Sequence, residues 1–291
     1  MNADTVFVEY RPLLFTIAYE LVGTAVDAED VLQESYLRWK DVDPAAVTNA
    51  RNYLAQIVAR QALNHLRAVR HRRETYVGSW LPEPVSTTPD LAADTGLAES
   101  VSMAMLVVLE SLTPDERAVF VLHQVFGFPL TEIAELTGKT DTAVRQIARR
   151  SRGHVHARRR RFDPHPVLAD QVVTKFLISA RTGDLQALMD LLAPDVVQMS
   201  DGGGKARAAR RPITGMHAVA QFCIGVARTA PPSLRVEFTR CNAMPAVVFW
   251  DVENIYQALL FDIEEGHIHG IYAVRNPDKL TNVTHLRDLA R

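Results

Sequence analysis

Thr142, Arg145, Gln146 and Arg149 form pairs three residues apart (142/145, 146/149) and four apart (142/146, 145/149), so they share one side of a helix. Arginine and glutamine are the side chains that make paired hydrogen bonds to base edges in the major groove. Lys139, Arg150 and Arg152 flank that row and supply charges suited to phosphates, which add affinity without sequence preference. A second set lies upstream. Arg60, Asn64, Arg67 and His71 recur four, three and four apart with Gln61 beside them, and this mixture of guanidinium and amide groups can hold phosphates and read bases. Both sets fit a polyanion with readable edges, which is nucleic acid.

The downstream row needs a rigid platform, and Leu130 to Arg161 reads as a helix, a tight turn and a strongly basic helix. Ala134 is small where two helices touch, Gly138 stands where the turn wants a positive φ, and Val144, Ile147, Ala148 and Val155 face inward to lock the second helix. This is helix-turn-helix spacing. One amphipathic helix through Val101, Met105, Val108, Leu109 and Leu112, then a Thr113-Pro114 helix start, would support it. The upstream stripe rides on a helix from about Asn49 to Arg73 whose core side is Leu54, Ile57, Val58, Ala62 and Leu66. Before it come a helix over 4–24 closed by Gly23, and a second beginning at Asp27, where DAED caps its own start and Leu32, Tyr36 and Trp39 are buried. Asp27, Asp30 and Glu34 form an exposed acidic face on that helix, which taken alone is an ordinary solvated surface.

A net charge of -2 over 291 residues argues against nucleic acid until it is resolved along the chain. Residues 1–48 hold 3 basic and 9 acidic side chains, 49–75 hold 6 and 1, 99–138 hold 1 and 6, and 139–162 hold 9 and 1. Folding does not require charge to segregate twice by block. The alternation suits an acidic face for a protein partner and a basic face for DNA. The start lacks a signal peptide's basic and apolar pattern and no run reaches membrane-spanning length, so a cytoplasmic protein with no membrane contact is expected. Cys223 and Cys241 have no metal-ligand spacing and are expected to be buried, reduced thiols, and neither a metal nor a cofactor is called for.

DAEDVLQESYLRWK, ARNYLAQIVARQALNHLRAVRHRR and SLTPDERAVFVLHQVFGFPLTEIAELTGKTDTAVRQIARR, in that order, resemble the bacterial sigma factors of the extracytoplasmic-function group. The resemblance covers about 4–75 and 99–161. It implies that Asp27, Glu29, Asp30, Gln33 and Glu34 dock on the β′ clamp helices of core RNA polymerase, with the β flap as a further partner. It also implies that Arg60, Gln61, Asn64, Arg67 and His71 serve the minus-ten element. The loop from Asp41 to Asn49 would help to capture a flipped base, and Thr142, Arg145, Gln146 and Arg149 would read the minus-thirty-five element of promoter DNA. Such proteins generally act as monomers on polymerase.

Residues 76–98 lack basic side chains and read as a linker, in which Trp80 should pack on something because a wet tryptophan leaves a large apolar area in water. The chain then continues past 162, where small members of the group end. Over 163–291 two helices (Val167 to Ala180, Asp184 to Leu192), a strand (Val196 to Ser200), a glycine turn and a strand near Ala206 to Ile213 precede a helix, Gly215 to Thr229. Strands follow at 235–242, 246–250, 255–261 and 267–275, giving an α+β cone with a curled antiparallel sheet. The order resembles the SnoaL-like polyketide cyclases of the nuclear-transport-factor-two-like fold. Sigma factors with this extension share motifs matched by Trp80-Leu81-Pro82-Glu83-Pro84, Asp201-Gly202-Gly203-Gly204-Lys205 and Asn276-Pro277-Asp278-Lys279-Leu280. The implied arrangement is multidomain: two all-α sigma domains and the cone, joined by an interdomain regulatory contact through those three motifs.

Asp201, Asp251, His267 and His269 are the cone's general acid or base candidates, but no pair has a spacing that compels a shared site, so no catalytic residue is assigned. A cavity in this fold can also hold a small apolar ligand without turning it over. The rival reading is a cyclase- or hydrolase-like enzyme or ligand sensor tethered to a DNA-binding module. A repressor using the helix-turn-helix alone leaves the acidic helix unexplained.

Overall fold

The computed structural model describes residues 2–88, 91, 94–157 and 166–291, apart from the side chains of 70–74, 166 and 167. Helix α1 (Ala3–Val22) ends where expected, on Gly23 at φ 82. Helix α2 (Ala25–Trp39) starts earlier than the DAED reading placed it, because Thr24 is its cap and accepts from the Asp27 N–H. The Glu83 carboxylate, from the linker, also accepts from the Ala25 N–H at 2.8 Å. An acid so distant in the chain leaves no mark in the local pattern. Helix α3 (Ala50–Glu74) lies across both, and Trp39 is fully buried with its indole N–H on the Ala3 carbonyl at 2.8 Å.

After a two-residue strand β1 (Ser86–Thr87), the single support helix expected beyond residue 97 is two, α4 (Thr95–Val101) and α5 (Met103–Glu110). Ser102 breaks it: its hydroxyl caps α5 by accepting from the Met105 N–H, the local competition serine offers a helix backbone. Thr113 and Glu116 form a reciprocal capping box for α6 (Pro114–Phe120), which runs into one π turn, Val121–Val125. Helices α7 (Leu130–Thr137) and α8 (Asp141–His156) meet at Gly138, φ 69.

The two helical units share one core. Leu14, Ile17 and Leu21 belong to the same buried cluster as Leu106, Leu109, Val119, Leu122, Ile133 and Val144. Within the helical units Arg117 is 2% exposed, donating to the Glu20 carbonyl at 2.9 Å and the Glu110 carboxylate at 2.6 Å. Burial pushes the Glu20 carboxyl up to about 8, where it accepts the Ser100 hydroxyl.

The C-terminal unit comprises α9 (Pro166–Thr182), α10 (Leu185–Met189), α11 (Met216–Thr229) and strands β2 (Leu192–Asp201), β3 (Ile213–Thr214), β4 (Arg235–Cys241), β5 (Met244–Asp251), β6 (Asn254–Glu264), β7 (His267–Val274) and β8 (Leu286–Arg287). The sheet order is β3-β2-β7-β6-β5-β4-β1-β8. It is mixed rather than wholly antiparallel, since β2 runs parallel to β7 and β1 parallel to β8. The strand expected from Ala206 shrinks to Ile213–Thr214. Its ARAARRP lead has no β-branched residue, and the Arg207 carbonyl is taken by the Arg275 guanidinium at 2.6 Å. The linker does not span open space: Leu81 to Thr87 are buried, and β1 extends the cone's own sheet.

Candidate nucleic-acid interface and its clasp

Thr142, Arg145, Gln146 and Arg149 are all exposed on α8 while Val144, Ala148 and Val155 are buried, so the amphipathic pattern turns the row expected to read bases outward. Arg152 is also exposed. Lys139 and Arg150 are engaged, by Asp115 at 2.8 Å and Glu116 at 2.6 Å. On α3, Arg60 and Asn64 are exposed, and Arg67 reaches the same Asp115 at 2.7 Å. Burial works to raise the Asp115 carboxyl, but Lys139 and Arg67 outweigh it and hold it below the usual carboxylate range. One carboxylate therefore clamps a cation from each of the two surfaces that the sequence assigns to DNA. Gln56 to Glu132 at 3.0 Å adds a second bridge between α3 and α7.

Gln61 departs from the expected exposed stripe. It is 6% exposed and its amide oxygen faces the Arg38 guanidinium, because one position off the stripe turns it toward α2. The side chain of His71 lies outside the described residues, as do Arg158 to Arg161. The loop after α2 contains a single 3-10 turn, Pro44–Ala46, capped by Asp43. Asp30, Gln33 and Glu34 are exposed on α2, but Asp27 pairs with His65 at 3.1 Å, and Glu29 bridges Arg11 at 2.6 Å and Arg287 of β8. The acidic face is thus partly covered by the C-terminal strand.

The clamp predicts a measurable release. Asp115→Asn should strengthen binding of the free protein to a promoter duplex about two- to fivefold, the worth of partly exposed ion pairs. Unchanged affinity in a low-salt gel shift would mean the clamp holds nothing back.

The three motifs 80–84, 201–205 and 276–280 converge on Asp201, which is fully buried at the end of β2. One of its oxygens accepts from the Tyr76 hydroxyl at 2.6 Å and the Gly203 N–H at 3.0 Å, the other from the Leu81 N–H at 2.9 Å and the Lys279 ammonium at 2.8 Å. Lys279 also donates to the Leu81 carbonyl at 2.6 Å and stands 3.1 Å over the Trp80 ring. The glycines are steric necessities: a Cβ on Gly202 would lie 2.2 Å from the Ala206 carbonyl oxygen, and one on Gly203 2.4 Å from the Asn276 amide. Glu83 carries the linker onto the helical units, one oxygen on the start of α2 and the other accepting from Asn282 at 2.7 Å.

Pattern reading missed four residues of this contact: Tyr76, Asn242, Asn282 and Arg287. Asn242, at φ 56 in the β4–β5 turn, accepts from the Val85 N–H at 3.1 Å and donates to the Tyr19 hydroxyl at 2.7 Å and the Val101 carbonyl at 2.8 Å. The turn itself was legible from the flanking strands. That its amide ties the linker to both helical units was not.

Of the acid and base candidates, Asp201 is consumed by the clasp. Asp251 ends β5, His267 begins β7, and His269 lies 3.8 Å from Asp195; none of the four lines the cone's cavity. Cys241 is buried, while Cys223 is only partly so and opens onto that cavity; burial pushes both thiols up to about 12. Among the described residues no group of three His, Cys, Asp or Glu could hold a metal, and no helix is long and apolar enough to cross a membrane.

Comparison with known proteins agrees with this geometry. Sigma-70 region 2 matches residues 6–73 and Sigma-70 region 4 matches 102–155. The ECF RNA polymerase sigma factor SigJ of Mycobacterium tuberculosis is 37% identical over 290 residues, covering 94% of this chain and 92% of the relative. The probable ECF RNA polymerase sigma factor SigI of the same organism is 29% identical, covering 93% and 92%. The crystal structure of M. tuberculosis SigJ superposes with a TM-score of 0.76 at 34% identity, covering 93% of this chain and 95% of that one. Similarity that runs through both helical units, the linker and the cone alike places this chain in the ECF RNA polymerase sigma factors, which direct core polymerase to promoters.

Proposed function

We propose that the form described here is a closed sigma factor whose cone controls when its two DNA-binding surfaces separate. In the open form, the acidic face of α2 (Asp27, Glu29, Asp30, Gln33, Glu34) docks on the β′ clamp helices, and the second helical unit contacts the β flap. Arg60, Asn64 and Arg67 then serve the minus-ten element and the α8 row reads the minus-thirty-five element. The protein works as a monomer on polymerase in the cytoplasm.

The observation that carries this reading is the shared carboxylate of Asp115, which holds Arg67 and Lys139 within one side chain's reach. Two promoter elements some 25 base pairs apart lie roughly 85 Å apart along the duplex at ~3.4 Å per pair. Both surfaces cannot meet their elements while bonded to one group. The contact between Arg287 and Glu29 and the Glu83 bridge to α2 support the cone and linker as the restraint. Sigma factors are initiation factors rather than enzymes, and the placement of Asp251 and His267 outside the cavity favours a non-catalytic cone.

Pull-down of core polymerase followed by promoter-specific run-off transcription tests the reading. The full chain should bind core and give a defined start, and truncation after Arg161 should shift the output by at least about threefold, which takes a change of only about 0.7 kcal/mol in the opening equilibrium. Equal output from both proteins would remove the regulatory role while leaving the sigma activity in place.

A further inference from the structure

A cavity of about 410 Å³ enters the cone between α9, α11 and the inner face of the sheet, within the range that holds a drug-sized molecule. Its body is apolar, with Phe176, Phe222, Val226, Phe249, Leu259 and Ile271 on its walls. Its charge has one sign. Arg181, Arg207, Arg228 and Arg275 line it, and among the described lining residues there is no aspartate or glutamate to balance them.

Two buried polar atoms on this wall have no partner among the described residues: the Gln198 amide oxygen and the Arg275 Nε. Gln198 is 2% exposed, and its amide nitrogen is spent on the Ser200 hydroxyl at 2.6 Å and the Met199 carbonyl at 3.2 Å, which leaves an acceptor at the cavity wall. Arg275 spends one terminal nitrogen on the Arg207 carbonyl and lies 4.5 Å over the Tyr256 ring, keeping donor capacity at the cavity's polar end. Leaving such groups unpaired in a buried site is costly, and a molecule that supplies an acceptor for arginine and a donor for glutamine recovers that cost.

We propose that the cone is a receptor for a small amphiphilic anion. Its apolar body packs among Phe176, Phe222 and Phe249, its anionic head meets Arg275 and Arg207, and a hydroxyl or N–H on it donates to the Gln198 oxygen. The site binds without turning its occupant over: no carboxylate lines it, and the Cys223 thiol on its wall stays protonated. The head would lie against the clasp, because the Arg275 backbone N–H donates to the Asp201 backbone carbonyl at 2.7 Å and Ser200 immediately precedes Asp201. Any effect of the occupant on transcription rests on the regulatory reading above, whereas its binding does not.

The test is a fluorescence titration of the full-length protein with anilinonaphthalene sulfonate, an aromatic anion, followed by displacement with decanoate, decanol or decyltrimethylammonium. One saturable site is expected, with decanoate displacing the probe at roughly tenfold lower concentration than decanol and the cation weakest, the worth of one charge-assisted hydrogen bond. Arg207→Gln and Arg275→Gln should each weaken probe and decanoate roughly tenfold without changing decanol. Ala227→Trp, which fills the cavity, should abolish binding. The Arg207 side chain is exposed, so its variant carries the test if Arg275→Gln lowers the melting temperature. Absence of probe binding, equal competition by decanol and decanoate, or binding that survives Ala227→Trp would each overturn the proposal.

Discussion

Asp201→Ala is expected to release the linker and destabilise the closed form by about 3–5 kcal/mol, the usual cost of removing one partner from a buried ion pair. Asp201 is 0% and Lys279 5% exposed, so the substitution strands an ammonium group in the interior along with the Leu81 N–H and the Tyr76 hydroxyl that had pointed at the carboxylate. Proteolysis within 76–88 should become rapid, and the melting temperature should fall by several degrees. Lys279→Met combined with Asp201→Ala should recover part of the loss, since the pair then leaves together and no lone charge stays buried. A linker as protected in Asp201→Ala as in the parent protein would show that the clasp is incidental to the closed form. Run-off transcription of the same variant separates stability from control: release of the restraint raises output per folded molecule, while a purely structural clasp lowers only the folded fraction.

The second large effect belongs to α8. Arg145→Ala and Arg149→Ala should each lower promoter-specific initiation by roughly 5- to 150-fold, the range for losing one paired contact to a base, and should relax preference at the base each one reads. Both side chains are exposed, so folding should be untouched. The measurement is open-complex formation by the reconstituted holoenzyme on the cognate minus-thirty-five sequence and on a scrambled one. Equal loss on both templates would reassign these arginines to phosphate contact. Lys139→Ala gives the contrasting pattern of a uniform loss with a salt slope shallower by about one.

Local rules carried much of this structure. Gly23 and Gly138 end helices at positive φ, the Thr113-Pro114 start is a full capping box, and the α8 periodicity separates Val144 and Val155 from the four outward residues without any tertiary information. Each of these is settled within about one helical turn of chain, where propensity and periodicity operate. The differences have two causes. Thr24 and Ser102 displaced expected helix ends through caps made three residues along the chain, whereas Gln61 rotated inward to meet Arg38 and β2 joined β7 in parallel because the deciding partner came from a different element.

What the sequence by itself determined is the kind of molecule: a sigma factor with two helical DNA-binding units and an acidic helix in the first, followed by an α+β cone. Charge blocks, periodicities and turn residues are properties of short windows, and they survive being read in one dimension. Only the tertiary structure decided what the parts do to one another. Tyr76 and Asp201 are 125 positions apart, and Asn242 and Tyr19 are 223 apart, yet each pair shares a hydrogen bond that becomes worthwhile only after both are buried together. Neither polar side chain signals its partner along the chain, because hydrogen bonding has no periodicity. The way cone, linker and helical units are joined is therefore a product of long-range burial.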